Sequence, residues 1–256
     1  MSSPLPASQR QRLDELLVGR GLFASRSRAR DAIERGTVTI DGAVARKPGQ
    51  PVARNCRIAI DDPARAYVSR AALKLIAGLD HFGLDPAGSE ALDIGASTGG
   101  FTQVLLDRRA AHVTAIDVGH GQMHPDIAGD PRVTVIEGLN ARELAAADLG
   151  GRIPDFLVCD VSFISLKLAL PPALELAQEG AKAILLVKPQ FEAGRDAVGK
   201  GGLLKEPADA ERVAEGLRDW LAGIPGWRAL GLRPSPIDGG DGNREFLLAA
   251  IKDAGR

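Results

Sequence analysis

From Ala71 onward, short apolar runs alternate with stretches of helical periodicity. The runs are EALDIG (90–95), HVTAID (112–117), VTVIEG (133–138), DFLVCD (155–160), AILLVK (183–188), WRALGLRP (227–234) and FLLAAI (246–251). Their length and Val/Ile/Leu content predict buried strands. Strands alternating with helices predict an α/β domain built on a parallel sheet. One run ends oddly. In ILLVKPQFE, four apolar residues lead to Lys188, and Pro189 follows at once. DFLVCD likewise ends in a charge, Asp160. Ligands of open α/β sheets bind at the carboxyl ends of strands. If these two strands are neighbours, Asp160 and Lys188 reach one crevice. Lys74 in the first helical segment of this region, and Glu245 at the opening of the last strand, are further polar candidates.

The first sixty residues have a different pattern. Leu13, Leu16 and Leu17 share one face of a short helix, which Gly19 and Gly21 are suited to end. Ser25 is placed to cap a second helix, SRSRARDAIERG, in which Arg26, Arg30 and Ile33 recur at spacings of three and four. Gly36 stops it. TVTIDG then reads as a strand entering a turn at Asp41-Gly42. Residues 12–52, from RLD through V-T-I-D-G to PV, resemble the small αL-type RNA-binding domain of a small-subunit ribosomal protein and of pseudouridine synthases. That resemblance implies RNA contacts from Arg10, Arg12, Arg26 and Lys47. Arg65, in the segment that follows, is a further candidate. Arginines on a helix and beside a hairpin suit backbone phosphates. The expected organisation is an RNA-binding domain over residues 10–60, a linker over 61–70, and a larger domain over 71–254.

ALDIGASTGGF (91–101) is a strand running into a glycine-rich turn and then a helix. Gly95, Gly99 and Gly100 let the backbone approach a ligand. Asp117, at the end of the next strand, is placed to accept from ribose hydroxyls. Ala96 follows Gly95, so the G-x-G-x-x-G spacing of dinucleotide sites is missing. GRDAVGKG (194–201) nearly spells a phosphate loop, but Gly201 stands where Ser or Thr would hold magnesium. Asp-x-Gly-x-Ser-x-Gly-Gly-Phe is similar instead to motif one of Rossmann-like S-adenosylmethionine-dependent methyltransferases. The resemblance implies a cofactor loop of Asp93, Gly95, Ala96, Ser97, Thr98, Gly99, Gly100 and Phe101. It also implies ribose and adenine contacts at Asp117, Val118 and Asn140, with Asp160 closing the site and S-adenosylhomocysteine as product.

The order Lys74, Asp160, Lys188, Glu245 resembles the catalytic tetrad of FtsJ-type ribose 2′-O-methyltransferases. The flanks VSRAALKL, DVSFISL, VKPQFE and GNREF sharpen the match. With the αL-type module in front, residues 12–251 are identified as resembling the TlyA family of rRNA cytidine 2′-O-methyltransferases, whose members are sometimes labelled haemolysins. That resemblance implies a Rossmann-like methyltransferase sheet with helices on both faces, plus a small α+β RNA-binding domain. It further implies ribosomal RNA or ribosomal subunits as partner. Tyr67, in RAYV, stands where the family carries tryptophan, so an aromatic residue is kept. Lys188 is the candidate base if neutral. If charged, it is a clamp on the developing alkoxide, with Asp160 orienting it.

Composition adds limits. Residues 1–70 hold 13 Lys and Arg against 7 Asp and Glu, and the rest hold 19 against 26. A basic block before an acidic body suits a module for a polyanion. No apolar run nears the ~20 residues of a membrane helix, and MSSPLPASQRQR lacks the apolar core of a secretory signal. A cytoplasmic monomer without metal is expected. Cys56 and Cys159 have no metal or redox spacing, and Cys159 reads as core. His120 and His124 lack an acid between them and read as loop residues. The glycine-rich loop 192–206 reads as mobile. The rival readings are a non-catalytic RNA-binding or assembly factor, a small-molecule methyltransferase, which would not need the basic module, and a membrane-active haemolysin.

Overall fold

The structure is a computed structural model and describes residues 10–240 and 242–253. The expected domain end at 254 lies outside the described residues. The chain forms two compact units, Met1–Ala66 and Tyr67–Arg256.

The first unit contains β1 (Arg10–Arg12), α1 (Leu13–Gly19), α2 (Arg26–Glu34), β2 (Val38–Ile40), β3 (Ala43–Val44), β4 (Pro51–Ala53) and β5 (Ile58–Ile60). The Ser25 side chain caps α2 by accepting from the Arg28 N–H. Asp41 and Gly42 both have positive φ, the geometry of a two-residue hairpin turn between β2 and β3. Leu13, Leu17, Ile33 and Val38 are fully buried in the core of this unit. The buried stripe of α2 is Ala29, Ala32 and Ile33, while Arg26 and Arg30 stay exposed, so the expected Arg26–Arg30–Ile33 face is split. Two pairings were not evident from the sequence pattern. β1 pairs antiparallel with β4, and β5 adds to the β2–β3 hairpin.

The second unit holds α3 (Ala72–Phe82), β6 (Glu90–Ile94), α4 (Gly100–Asp107), β7 (His112–Asp117), α5 (Pro125–Ala128), β8 (Val133–Glu137) and β9 (Phe156–Cys159). It continues with α6 (Leu166–Ala169), α7 (Pro171–Leu176), β10 (Lys182–Val187), α8 (Pro189–Glu192), α9 (Asp209–Ala222), β11 (Trp227–Pro234) and β12 (Phe246–Lys252). All seven expected strands join one sheet, in the order β11-β12-β10-β9-β6-β7-β8. β6 to β10 are parallel, as expected of this α/β sheet, and β12 alone is antiparallel, to both β10 and β11, a detail the pattern of runs does not specify. The reason is the connection. α9 comes after β10 and leads the chain to β11, and β12 then returns without a helix and fills the gap, so it must run the other way. β7 and β8 extend from one side of β6, whereas β9 pairs on its other side. The strand order thus reverses at β6 and β9, where a crevice opens.

Strand phase decides what faces that crevice. Side chains alternate between faces. In β10, Ile184 and Leu186 pack in the core beneath α3 and α4, while Ala183, Leu185 and Val187 pack in the core on the other face. Phe156 and Val158 of β9, and Leu247 and Ala249 of β12, share the α3 side. Continuing the alternation puts Asp160, Lys188 and Glu245 on that same side. Pro189 does more than end a strand. It is the first residue of α8, where its missing N–H is not needed, and Lys188 holds the N-cap position.

α3 lies close on the sheet because Gly78 has no side chain. A Cβ there would meet Ile184 Cγ2 at 3.1 Å. Gly78→Val is therefore expected to destabilise the chain by about 1–3 kcal/mol through overpacking, as read by urea denaturation.

Candidate active site at the strand ends

The glycine-rich turn after β6 is built by local constraints. Gly95 has φ +83°, and a Cβ on it would meet the Asp160 carbonyl oxygen at 2.8 Å. The Asp160 N–H donates to Ile94 O at 2.9 Å, so β6 and β9 stay locked one residue past their strands. The N–H groups of Gly95 and Ala96 both donate to Ile116 O. Ser97, with φ +46°, donates its N–H to Asp117 Oδ2 at 2.8 Å. Asp117 Oδ1 accepts from the Gly119 N–H at 2.7 Å. Each oxygen of Asp117 therefore keeps an unused lone pair.

Two adjoining cavities lie along this turn. The larger, ≈520 Å³, is lined by Asp117, Val118, Leu139, Asn140 and Phe163, among others. The smaller, ≈150 Å³, is lined by Ser69, Ala96, Thr98, Gly100, Phe101 and Lys188, among others. Gly95, Ser97, Asp160 and Ser162 line both. Val118 is an apolar side chain left 68% exposed beside Asp117. Paired acceptors next to exposed apolar surface fit a nucleoside, whose ribose hydroxyls donate and whose base is flat. Asn140 also caps the turn after it by accepting from the Arg142 N–H.

Two expected cofactor residues are placed differently. Asp93 is fully buried and lines neither cavity. Its Oδ2 accepts from Thr102 Oγ1 at 2.7 Å, which ties β6 to α4 beneath the loop. It shares the face of Asp160 and Lys188 but pairs with Val158, two residues before Asp160, so it lies deeper in the sheet, under α4 and below the crevice mouth. Gly99 is also turned away. Its φ is +93°, and a Cβ would press on Met123 Sδ at 2.5 Å. Its smallness serves packing against the α5 segment.

The four charged candidates come together as two pairs. Lys188 Nζ lies 2.6 Å from Asp160 Oδ1 and donates to Ser162 Oγ at 2.8 Å, at the wall of the smaller cavity. Lys74 Nζ pairs with Glu245 Oε2, and both side chains are buried. Burial raises the Glu245 carboxyl above its ordinary value against the pull of Lys74. Lys188 lowers it and Asp160 raises it, so the two pairs feel each other's field. Lys74 and Glu245 line neither described cavity and stand behind the Lys188–Asp160 pair.

Several residues at the site lie within the motif flanks without being singled out by them. Ser162 holds Lys188, and Ser69 packs on Gly100, where an added Cβ would come 2.8 Å from it. The Val68 N–H next to it donates to Gln103 of α4 at 2.8 Å. Phe163 has φ +65° and is 91% exposed, with its ring 5.2 Å from that of Phe191. Glu192 ties the other end of PQFE back to the post-β9 loop, accepting from Ser165 Oγ at 2.6 Å and the Leu166 N–H at 2.7 Å. The loop 192–206, expected to be mobile, carries bonds of its own. Val198 and Leu204 form a bridge, and Asn243 Nδ2 donates to Gly202 O at 2.9 Å.

Arg10, Arg12, Arg26, Lys47 and Arg65, the expected RNA contacts, all lie at the surface of the first unit. Cys159 is fully buried, and burial pushes its thiol far up, as for a core residue. His124 caps α5 through Nδ1. Among the described residues, no group of His, Cys, Asp or Glu is arranged to hold a metal, and no helix is long and apolar enough to cross a membrane.

Known proteins match the chain along the same division. The model of the FtsJ-like methyltransferase family matches residues 67–252, and that of the S4 domain matches residues 11–58. The 16S/23S rRNA (cytidine-2′-O)-methyltransferase TlyA of Mycobacterium tuberculosis is 45% identical over 94% of this chain and 90% of its own. Hemolysin A of Brachyspira hyodysenteriae is 36% identical over 94% of this chain and 99% of its own. A solved structure from Streptococcus thermophilus superposes with a TM-score of 0.74 at 38% identity, covering 96% of this chain and 89% of that one.

Asp93 gives this site a pH signature. Burial pushes its carboxyl up to about 7, against the hydrogen bond from Thr102 and with Asp160 and Asp117 adding to the rise. The folded chain keeps this proton up to about 7, whereas the unfolded chain releases it near 3.8. Stability is therefore expected to fall as pH rises through that window. Asp93→Asn should flatten this part of the profile in denaturant titrations. An unchanged slope would place the titration elsewhere.

Proposed function

The chain belongs to the FtsJ-like methyltransferase family and, within it, to the TlyA family. From this we propose that it transfers the methyl group of S-adenosylmethionine to the ribose 2′-hydroxyl of a cytidine in ribosomal RNA. The observation that carries the reading is Lys188, held by Asp160 and Ser162 at the wall of the smaller cavity. S-adenosylmethionine, when bound, supplies an electrophilic methyl group on sulfur.

The chain's own residues do the rest. Asp117 accepts from the cofactor ribose, and Val118 and Asn140 flank the base. Gly95, Ala96, Ser97, Thr98, Gly100 and Phe101 shape the methionine end. The nucleophile is a ribose hydroxyl, a weak one at neutral pH, so alignment supplies much of the acceleration. Lys188, paired with a carboxylate at 2.6 Å, acts as a charged clamp that orients the hydroxyl oxygen and stabilises the charge that develops on it. Asp160 fixes the direction of that clamp. Lys74 and Glu245 are positioning residues that set the field behind it. Phe163 offers an exposed aromatic face on which the target base can stack. The basic surface residues of the first unit, Arg10, Arg12, Arg26, Lys47 and Arg65, engage the RNA backbone of a ribosomal subunit.

Lys188→Ala is expected to slow methyl transfer to ribosomal subunits by about 10²–10³-fold, with cofactor affinity measured by calorimetry little changed. Lys188→Arg keeps a charge in place and is expected to retain partial activity. Near-native transfer by the alanine variant would remove Lys188 from the mechanism. Complete loss in a folded arginine variant would favour a neutral lysine acting as base.

A further inference from the structure

The first unit contains an arrangement of charge that net charge alone does not explain. Asp14, at the start of α1, is fully buried, although it is a carboxylate in an RNA-facing module. Its Oδ1 accepts from Arg12 Nε and from the Glu15 N–H, both at 3.1 Å. Its Oδ2 accepts from Arg12 Nη2 and from Arg26 Nη2, both at 3.0 Å. Burial by itself would raise this carboxyl, but the hydrogen bonds and charges of the two arginines outweigh it and hold it at about 2. It therefore stays ionised at any pH at which the protein works.

The two guanidinium groups are held from beneath and open above. The Arg12 and Arg26 side chains are 47% and 53% exposed, against 0% for Asp14. Arg12 is gripped along its Nε–Nη2 edge, which leaves Nη1 free of Asp14. Gly49 makes room for that nitrogen, since a Cβ there would come 2.7 Å from Nη1. A second acid touches the same two groups differently. Glu15 is 38% exposed and reaches Arg12 Nε at 3.7 Å and Arg26 Nη1 at 3.4 Å. These contacts are long, and the side chain can swing into solvent. An exposed carboxylate resting on two arginines occupies the place a phosphate would take, because both anions satisfy the same planar donors.

We propose that Asp14 is a positioning residue that presents Arg12 and Arg26 as one phosphate-binding fork, and that Glu15 is the stand-in anion that a nucleic-acid phosphate displaces. This rests on the reading that the first unit binds ribosomal RNA. Two adjacent acids of equal charge thus act in opposite directions. Asp14 strengthens RNA binding by fixing geometry, and Glu15 weakens it by competing.

The test measures binding of the full-length chain to ribosomal subunits purified from a strain lacking the gene, at several salt concentrations. Arg12→Ala and Arg26→Ala are expected to weaken binding and to reduce its salt dependence. Asp14→Asn should weaken binding about tenfold although it removes a negative charge. Glu15→Gln should tighten it about threefold, and that gain should vanish in the Arg12→Ala/Arg26→Ala background. Gly49→Ala changes no charge and should weaken binding by displacing Arg12. Glu15→Gln and Gly49→Ala leave the buried carboxylate in place, so they decide the matter even if Asp14→Asn unfolds the module. Tightening by both Asp14→Asn and Glu15→Gln would overturn the proposal, since the acids would then only neutralise. So would an unaltered affinity for Glu15→Gln or Gly49→Ala. Unaltered binding by both arginine variants is a different failure, that of the RNA-binding reading for this face.

Discussion

β10 pairs with β9 so that Leu185 lies beside Cys159, and with β12 so that Val187 lies opposite Phe246. That register is the constraint on which the rest of the second unit depends. Residues just beyond these paired segments, Asp160, Lys188 and Glu245, leave the sheet on one side. A slip of one residue in any of the three strands would send its charge to the opposite face. The apolar runs hold the register, because every residue of β9, and every residue of β10 after Lys182, is buried. Hydrophobic burial thus positions the charges, and α3 covers them with Lys74.

This arrangement has an energetic consequence. Four ionisable groups sit where water is scarce, and an unpaired charge there is strongly unfavourable. Pairing Lys74 with Glu245 and Lys188 with Asp160 offsets the desolvation. The raised Glu245 carboxyl shows that the offset is incomplete. The Lys188–Asp160 pair differs from its neighbour in lining the cavity, with Ser162 as a further acceptor. One pair is a buried support, and the other meets whatever occupies the cleft. The glycine-rich turn is fixed to the same place, because Gly95 can approach the Asp160 carbonyl only without a side chain.

Much of this is legible in the chain. The seven strands, the turn at Asp41-Gly42 and the Ser25 cap come from periodicity and local chemistry. Lys188 and Asp160 stand out because each ends an apolar run. What the pattern hides depends on tertiary placement. The insertion of β12 between β10 and β11 is a matter of pairing, which periodicity does not encode. Asp93 resembles a ligand because it precedes the glycine turn, yet its depth in β6, beside Val158 and under α4, buries it against Thr102. Ser162 and Phe163 lie in DVSFISL, but their roles come from a turn in which Phe163 takes a left-handed conformation. Asp14 gives no sign of its burial, because a carboxylate next to arginines looks, in sequence, like an ordinary solvated charge.

The most direct measurement is mass-spectrometric mapping of ribose methylation in ribosomal RNA, from a strain with the gene, without it, and with it restored. The account predicts that 2′-O-methylation at one or more cytidines disappears with the gene and returns with the intact chain. Identical maps in all three strains would contradict it.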